Sequence, residues 1–498
     1  MSDLRTFFKQ SSQYLAGQGL IMLAGFASFP ILTRILSVSE YGVLSLVTST
    51  VSILLAFSKL GLNHASVRYY QEFASGGRKE SLSHFYNTYL LAIVVSTIII
   101  IATFWSLFET VLAGVFDKRF SDLFIFVGLL TLLRSLHLIL RSFLRAAQRT
   151  VVWNVVGIAQ RYLAVIFGLF FFLYFSRTLT DYYIGMTLAE SIVLAYLFYD
   201  LSREVGIHWK YFSSDLFRAG IRYGIFMLGV EAVGLLTGHA DRYLIEYFLG
   251  AHDLGVFSVA SNLATYAGLL FTVPVQLGLL PVCMSLWVNK GRQATQAFLE
   301  QTLRYFCLVA FPVTLAFMAT SEDLIVLIAS EKYVSSAAVM PYLLMANMFV
   351  AAANFFCAPI LLHERTEQLL LLYIVVCVEN LALNVFMIPR FGILGAAYVS
   401  VIVWMSLFVL VGVRSLKYLR IRVPLRSVVV YLIAACLMYL VVDSIHLPGP
   451  RLVSLLLEVG FGMVVYAVIV GCLDREVRAH AETFVRGVIR GASSRMTK

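Results

Sequence analysis

Long apolar stretches follow one another along nearly the whole chain, separated by short polar segments. The hydrocarbon core of a bilayer is ~30 Å thick, and an α-helix crosses it in ~20 residues. Backbone polar groups inside a bilayer must be hydrogen-bonded within the protein, so such stretches fold as helices. Because 60% of the 498 residues are hydrophobic and only 13% are charged, little of the chain is left for a soluble domain. We predict an all-α, polytopic membrane protein.

The apolar stretches define about fourteen transmembrane helices. The candidate spans are roughly 14–36, 42–62, 85–108, 123–143, 152–175, 182–200, 223–246, 255–281, 304–321, 337–361, 368–388, 393–413, 427–445 and 452–472. With a cytoplasmic N-terminus, 27 Lys and Arg fall on the cytoplasmic side, 8 on the outer side and 3 inside spans, which accounts for all 38. Basic residues concentrate in short cytoplasmic loops. The count therefore predicts that both termini are cytoplasmic.

An internal repeat relates two turns that lie 213 residues apart. Setting Gly42 against Gly255 also aligns Leu36 with Leu249, Glu40 with Asp253, Val43 with Val256 and Ser45 with Ser258. Two homologous halves are a common way of building a secondary transporter. We therefore predict a lobe of six helices at 1–205 and a second lobe of six at 206–415. The remainder, 416–498, holds two further helices and a basic cytoplasmic tail.

Charged residues inside the spans are the main candidates for function. At the centre of a span each costs roughly 2.5–3.5 kcal/mol on insertion scales, so such residues normally face a cavity or a partner. In the fourth span, helical spacing puts Arg134, His137, Arg141 and Arg145 on one face. Arginine pairs bidentately with phosphate oxygens, so this face is a candidate wall for a diphosphate or for acidic sugars. Alternatively, only Arg134 and His137 lie deep, and the others extend to the cytoplasmic surface.

The complete set of candidate substrate-binding residues is Arg34, Lys59, Arg134, His137, Arg141, Arg161 and Arg242. Lys59 is either a second cationic patch or an ordinary cytoplasmic anchor. Arg161 is deep in the fifth span, with Glu190 as a candidate partner. Arg242 forms either a structural ion pair with Asp241 or a gate charge.

Two carboxylates inside spans, Glu231 and Glu379, are candidates for coupling transport to an ion. A carboxylate in a low-dielectric site exchanges a proton more readily near neutral pH than an exposed one. The alternative for each is a structural carboxylate that is hydrogen-bonded to its neighbours.

Sequence motifs for other chemistries are missing. The chain has no phosphate-binding glycine loop followed by Lys-Ser/Thr, no His-Glu-x-x-His and no nucleophile elbow. Its six cysteines are isolated and suit apolar packing better than disulfides or metal ligation. The net charge of +10 is explained by the cytoplasmic loops, so nucleic acid is not expected as a partner. We predict no enzymatic activity, no cofactor and no metal site.

Three parts of the sequence resemble the polysaccharide-biosynthesis transporter family, the Wzx-like O-antigen and exopolysaccharide flippases of the multidrug/oligosaccharidyl-lipid/polysaccharide exporter superfamily. The residues that carry the resemblance are Leu36, Glu40-Tyr41-Gly42, Lys59-x-Gly61-Leu62 and Arg68 in the first half, Asp241-Arg242, Phe248-Leu249-Gly250 and Gly255-x-x-Ser258-Val259-Ala260 in the second, and IPRFGILGAA at 388–397. The resemblance implies two six-helix lobes in a V around a central cavity.

The resemblance also implies a function. Such proteins move polyprenyl-diphosphate-linked glycans from the cytoplasmic to the outer leaflet of the inner membrane by alternating access. The partners it implies are the lipid-linked glycan, membrane lipids, H⁺ or Na⁺ as coupling ion, and polysaccharide polymerase with chain-length machinery.

Three alternatives stay open at this point. A drug or cation antiporter of the same superfamily should have an acid-rich cavity, whereas the first predicted lobe is rich in Arg and Lys. A membrane glycosyltransferase or polymerase needs large extramembrane loops, and the loops here are short. A nontransporting membrane scaffold would have no use for charges buried on several helices.

Overall fold

The computed structural model describes residues 2–75, 79–112, 116–204, 209–445, 447–474 and 476–478. Within these ranges the chain is built of helices, without a β-strand. The longer helices are α1 (Ser2–Ile35), α2 (Val38–Ser58), α3 (Leu62–Ser75), α4 (Lys79–Leu107), α5 (Phe124–Ala146), α6 (Thr150–Tyr174), α7 (Leu179–Glu204), α8 (Ser214–Leu249), α9 (Ala251–Ala319), α10 (Met340–Leu362), α11 (Thr366–Ser415), α12 (Leu425–Ser444) and α13 (Arg451–Leu473). Short helical pieces lie at Phe108–Leu112, Lys118–Asp122, Trp209–Tyr211, Ser321–Leu324, Ile325–Ala329 and Glu331–Ala338.

Thirteen segments of the described chain are long and apolar enough to cross a membrane. The helix α11 supplies two of them, because its backbone breaks at Gly392 (φ 60°), in the left-handed region that favours glycine. A similar break at Gly291 (φ 74°) divides α9, which contains the predicted spans 255–281 and 304–321. With the two parts of α9 taken separately, the described residues contain the roughly fourteen spans that the sequence predicts.

The second span ends earlier than predicted, and a helix follows where we expected a loop. The helix α2 ends at Ser58, and Leu60 (φ 48°) and Gly61 (φ 72°) turn the chain into α3. We call Lys59–Gly61 the corner between α2 and α3. The backbone of Gly61 packs directly on that of Gly224 in α8, and a Cβ added to either glycine would overlap the other's carbonyl oxygen. The prediction missed the corner because the apolar run continues through it to Leu62.

The close backbone approach of α8 to the corner is at Gly224. Two later glycines of α8, Gly234 and Gly238, make no backbone contact of this kind. A Cβ at Gly238 would meet nothing within 4 Å, and one at Gly234 would meet only the ring of Tyr373.

The start of α2 packs against the start of α9 through equivalent positions of the internal repeat. A Cβ on Gly42 would overlap the carbonyl oxygen of Ala251, and a Cβ on Gly255 would overlap the carbonyl oxygen of Val38. Because Ala251 follows Val38 by the repeat distance of 213 residues, the contact is reciprocal. The equivalent serines also meet at this contact, where the Ser258 hydroxyl donates to Ser45 Oγ at 2.8 Å.

The chain divides into two compact units. The first comprises Met1–Ser258 and Thr366–Ala396, and so contains α1 to α8, the first residues of α9 and the first part of α11. The second comprises Val259–Arg365 and Ala397–Lys498. The six-helix lobes at 1–205 and 206–415 stay a prediction, and the basic tail from residue 479 lies outside the described residues.

In the second unit, Arg304 joins the last two helices to α9. Its Nη2 donates to both carboxylate oxygens of Asp474, at 2.6 and 2.7 Å, and its Nε donates to Tyr431 Oη at 3.1 Å. The buried Tyr431 hydroxyl in turn donates to Asp474 at 2.6 Å. Burial raises the pKa of Asp474, but the hydrogen bonds from Tyr431 and Arg304 outweigh it and hold the pKa below its ordinary value. The helices α12 and α13, which have no counterpart in the repeat, are thus held by an ionised network.

We expect Arg304→Leu to lower the stability of the protein by about 3 kcal/mol, because removing one partner leaves a buried carboxylate uncompensated. Thermal unfolding in detergent measures the effect. The lowered pKa of Asp474 means that its contribution to wild-type stability is present at neutral pH and is lost as the pH falls below the ordinary range of an aspartate. The exposed Arg426→Leu, on the neighbouring α12, is the control. Equal stability of the two variants would contradict a role for the network.

Candidate functional site

A cavity of about 360 Å³ in the first unit brings together several of the predicted site residues. Helices α2, α3, α5, α6 and α8, together with the corner, contribute to its wall. Its lining residues are Leu55, Lys59, Asn63, Arg134, His137, Leu138, Arg141, Ser142, Arg145, Trp153, Gln160 and Glu231. Of the seven candidate substrate-binding residues, the cavity therefore contains Lys59, Arg134, His137 and Arg141.

The polar face of α5 forms one side of this cavity. The structure places Arg134, His137, Arg141 and Arg145 all among the lining residues, as their spacing predicts. The opposite face of α5 is apolar and packs in the core of the first unit through buried residues that include Leu133, Leu136, Ile139, Leu140 and Phe143. This segregation fixes the rotation of α5 and turns its cations toward the cavity.

Glu190 of α7 holds the deep end of the α5 face in place. Its side chain is only 2% exposed. Its Oε1 accepts from Arg134 Nε at 3.0 Å, its Oε2 accepts from Gln160 Nε2 at 2.7 Å, and His137 Nδ1 lies 3.0 Å from Oε2. A buried carboxylate with several partners is a rigid support, since moving any partner would leave its charge uncompensated. The fixed Glu190 thereby orients the guanidinium of Arg134.

Lys59 and Glu231, which also line the cavity, are direct partners. Lys59 is 4% exposed and donates to Glu231 Oε1 in an ion pair, while His64 Nε2 lies 3.8 Å from Glu231 Oε2. Lys59 follows the last residue of α2, where a cation is favoured by the helix dipole. The residues that we predicted for two different roles, substrate binding and ion coupling, thus meet in one pair. Their separation of 172 residues hides this pairing in the sequence.

Trp153 of α6 is a cavity residue that sequence reasoning missed. The guanidinium carbon of Arg141 lies 4.2 Å from the centre of the Trp153 ring, a distance typical of a cation–π contact. Arg141 also donates to the Trp153 carbonyl oxygen at 3.5 Å and packs on Gly157, where a Cβ would clash with its Nη2. No spacing rule links Trp153 to Arg141, because they lie on different helices joined by a turn.

Arg242 lies outside this cavity, at the reciprocal contact between α2 and α9. Its Nε donates to Ser45 Oγ at 3.2 Å and its Nη1 donates to the Gly238 carbonyl oxygen at 3.0 Å. Asp241, its predicted ion-pair partner, is 3.7 Å away from Nη1. The buried Arg242 side chain therefore bonds to α2 and to its own helix.

The other predicted site residues also lie outside the cavity lining. Arg34 is exposed in the last turn of α1, and Arg161 is exposed on α6. Glu379 is half-buried in α11. Glu190 is the candidate partner of Arg161, but its carboxylate contacts Arg134, His137 and Gln160 instead.

The charges around the cavity favour an anion. The cationic residues Lys59, Arg134, Arg141 and Arg145 line it, against the carboxylates of Glu231 in the lining and Glu190 behind Arg134. Among the Lys, Arg and Glu side chains, four positive charges face two negative ones, which leaves an excess of two positive charges. Among the described residues there is no cluster of three or more His, Cys, Asp and Glu that could hold a metal ion. The site is thus suited to binding an anion of two charges.

A solved membrane protein shares the fold of this chain. The solved structure of the lipid II flippase MurJ, in an inward closed conformation, superposes with a TM-score of 0.74 and covers 93% of this chain and 99% of that chain, at 12% sequence identity. The two proteins therefore share a fold of many long, apolar helices.

The chain belongs to the polysaccharide biosynthesis protein family, whose model matches residues 7–287. This confirms the family resemblance that the motifs carry, and it agrees with the prediction of a transport protein instead of an enzyme. An uncharacterized membrane protein of Methanocaldococcus jannaschii is 25% identical over 414 residues, covering 76% of this chain and 79% of that protein. Lsg locus putative protein 1 of Haemophilus influenzae is 22% identical over 408 residues, covering 78% and 95%.

Proposed function

We propose that this protein is a flippase that moves a polyprenyl-diphosphate-linked oligosaccharide from the cytoplasmic to the outer leaflet of the inner membrane, for cell-surface polysaccharide synthesis. The observation that carries the proposal is the cavity with its excess of two positive charges, in a chain of the polysaccharide biosynthesis family. A diphosphate esterified at both ends carries two negative charges, so the cavity and this headgroup match in charge.

The arginines of α5 bind the diphosphate in this proposal. Arg134 and Arg141 offer planar groups that suit the paired oxygens of a phosphate. The low dielectric of the bilayer opposes the passage of a bare diphosphate, and fixed cations replace the water that the headgroup loses. The polyprenyl tail stays in the bilayer. No covalent step is needed, so the protein acts by binding and by changing which leaflet the cavity faces.

The size of the cavity limits what it holds. Its volume of about 360 Å³ lies at the lower end of ordinary small-molecule sites. It suits the diphosphate and its nearest sugar, and the remainder of the glycan requires the cavity to widen during transport. Arg34, Arg161 and Arg242 lie outside the cavity lining. Their roles in substrate binding apply to the widened cavity and stay predictions.

The finer features of the proposal follow from the sequence and the family. We propose that both termini are cytoplasmic. We also propose that H⁺ or Na⁺ is the coupling ion and that Glu231 and Glu379 bind it. Polysaccharide polymerase and chain-length machinery are the proposed protein partners, because the flipped glycan is their substrate.

A drug or cation antiporter is the second candidate function, and the charge of the cavity argues against it. A site for organic cations needs an excess of carboxylates, whereas a single carboxylate, Glu231, lines this cavity beside four cationic side chains.

A leaflet assay in reconstituted vesicles tests the proposal. Fluorescent polyprenyl-diphosphate oligosaccharide is placed in both leaflets, and an enzyme added outside cleaves only the molecules that reach the outer surface. We expect vesicles with the protein to expose the inner pool at a rate that protein-free vesicles do not reach. Exposure at the protein-free rate, together with export of a small organic cation from the same vesicles, would assign the protein to the antiporters.

A further inference from the structure

We propose that Glu231 is an internal counter-ion, which the anionic headgroup displaces from Lys59 when it binds. This proposal rests on the proposed function and assigns one residue of that site a role in substrate entry. The displacement also breaks the polar contact between α8 and the corner at Lys59–Gly61. Headgroup binding is thereby linked to the separation of these two elements.

The first step concerns why Lys59 needs a counter-ion when the cavity is empty. An ammonium group that is 4% exposed loses most of its hydration, which is strongly unfavourable without an opposite charge nearby. Glu231 supplies this charge in the structure through its ion pair with Lys59. A phosphate at Lys59 would stand beside the Glu231 carboxylate. Two like charges this close repel strongly inside a protein, so both anions cannot share the site without a large penalty.

The second step is the difference between the two carboxylates of the site. Glu190 is 2% exposed and bonds Arg134 and Gln160, with His137 at 3.0 Å. The Glu231 side chain is 36% exposed, and its ion pair is with Lys59 alone apart from His64 at 3.8 Å. Glu231 therefore has room to turn away from Lys59, whereas Glu190 is held on several sides. One carboxylate is fixed and the other is displaceable.

The third step connects the ion pair to the packing of α8. Glu231 lies seven residues after Gly224, which is roughly two helical turns, so both residues are on the same face of α8. Gly224 packs on Gly61, and Glu231 pairs with Lys59 two residues earlier in the same corner. Loss of the ion pair leaves apolar contacts, among them that of Gly61 with Gly224, to hold the corner against this face of α8. The corner is thus the place where headgroup binding would open the first unit.

A binding measurement with a matched pair of variants tests the counter-ion. The probe is a short-chain prenyl diphosphate linked to one sugar, titrated into the full-length protein in nanodiscs. We expect Glu231→Gln to lower the Kd at least about tenfold, because the competing charge is gone. Glu190→Gln makes the same chemical change in the same site, and we expect it to raise the Kd, because Arg134 loses its support. Lys59→Gln should abolish the gain from Glu231→Gln.

The outcomes separate this proposal from the proposed function. Binding by the wild type with an unchanged or higher Kd in Glu231→Gln would overturn the counter-ion and leave the flippase intact. Absence of binding by both proteins would instead count against the flippase itself. If Glu231→Gln fails to fold, Glu231→Asp takes its place. Its shorter side chain weakens the ion pair, so a Kd below that of the wild type is again expected, and any other result overturns the proposal.

Spin labels on either side of the corner give a second readout. Val67 of α3 and Ile225 of α8 are both exposed and suit labelling in a cysteine-free background. We expect the probe to lengthen their separation in the wild type, and Glu231→Gln to show the longer separation without the probe. An unchanged distance in both cases would show that the ion pair does not hold the corner.

Discussion

Glutamine at both Arg134 and Arg141 should reduce transport in the leaflet assay at least about 100-fold at low substrate concentration. In the proposed function, each arginine supplies charge-assisted hydrogen bonds to the diphosphate, worth roughly 1.5–3 kcal/mol apiece. Losing two such contacts amounts to ~3 kcal/mol or more, and every 1.4 kcal/mol is a tenfold change. The effect is large because both guanidinium groups line the cavity and are held there, Arg134 by Glu190 and Arg141 by Trp153.

The matched control removes the same number of charges from the protein surface. Arg218 and Arg222 are exposed on α8, and we expect Arg218→Gln with Arg222→Gln to transport at close to the wild-type rate. Lysine at Arg134 and Arg141 should restore part of the activity, since it keeps the charge but loses the planar fork. Size-exclusion chromatography checks that both variants are folded. Equal activity of the cavity variant and the surface variant would then indicate that the α5 cations anchor the helix at the cytoplasmic surface and do not bind substrate.

The α5 face was predictable from sequence because it depends on a single helix. Four polar residues at helical spacing share a face wherever the helix lies, so periodicity alone places Arg134 and Arg145 on one side. The family resemblance likewise indicated the fold, because its motifs are spread over the whole chain. Lys59 and Glu231, by contrast, are brought together by packing between segments far apart in the chain. No sequence pattern within a single segment predicts which helices become neighbours.

The corner between α2 and α3 shows a different limit of sequence reasoning. The apolar run of the sequence continues across Leu60 and Gly61, so hydropathy does not reveal that α2 ends at Ser58. The turn is fixed by the positive φ of both residues and by the contact of Gly61 with Gly224. Gly61 hints at such a turn, but Leu60 gives no sign of it, since a branched side chain disfavours that conformation. Tertiary packing decides the position of this helix end.

Alanine at Gly42, and separately at Gly255, should lower the stability of the protein by ~3 kcal/mol or more. Each added methyl group would overlap a backbone carbonyl oxygen, of Ala251 in the first case and of Val38 in the second. Overpacking commonly costs 1–3 kcal/mol when side chains give way, and here the backbones of α2 and α9 must move apart. Their separation also breaks the hydrogen bond between Ser258 and Ser45. Thermal unfolding in detergent measures the loss.

The control is Gly412→Ala in the helical second part of α11. A Cβ at Gly412 would meet nothing within 4 Å, so this variant adds the same methyl group without a clash. We expect it to be as stable as the wild type or slightly more so, because alanine is the better helix former. A Gly42→Ala protein as stable as Gly412→Ala would mean that α2 and α9 do not touch at this position.

The reciprocity of the contact makes a sharper prediction for the double variant. Gly42 and Gly255 are equivalent positions of the repeat, and each meets the residue equivalent to the other's partner. If the first methyl group already forces α2 from α9, the second finds the space open. We therefore expect Gly42→Ala with Gly255→Ala to lose much less stability than the two single losses combined, a coupling that neighbouring sites show and distant ones do not. Additive losses would indicate that the two glycines sit in separate contacts, and the repeat would then mark common ancestry without a shared interface.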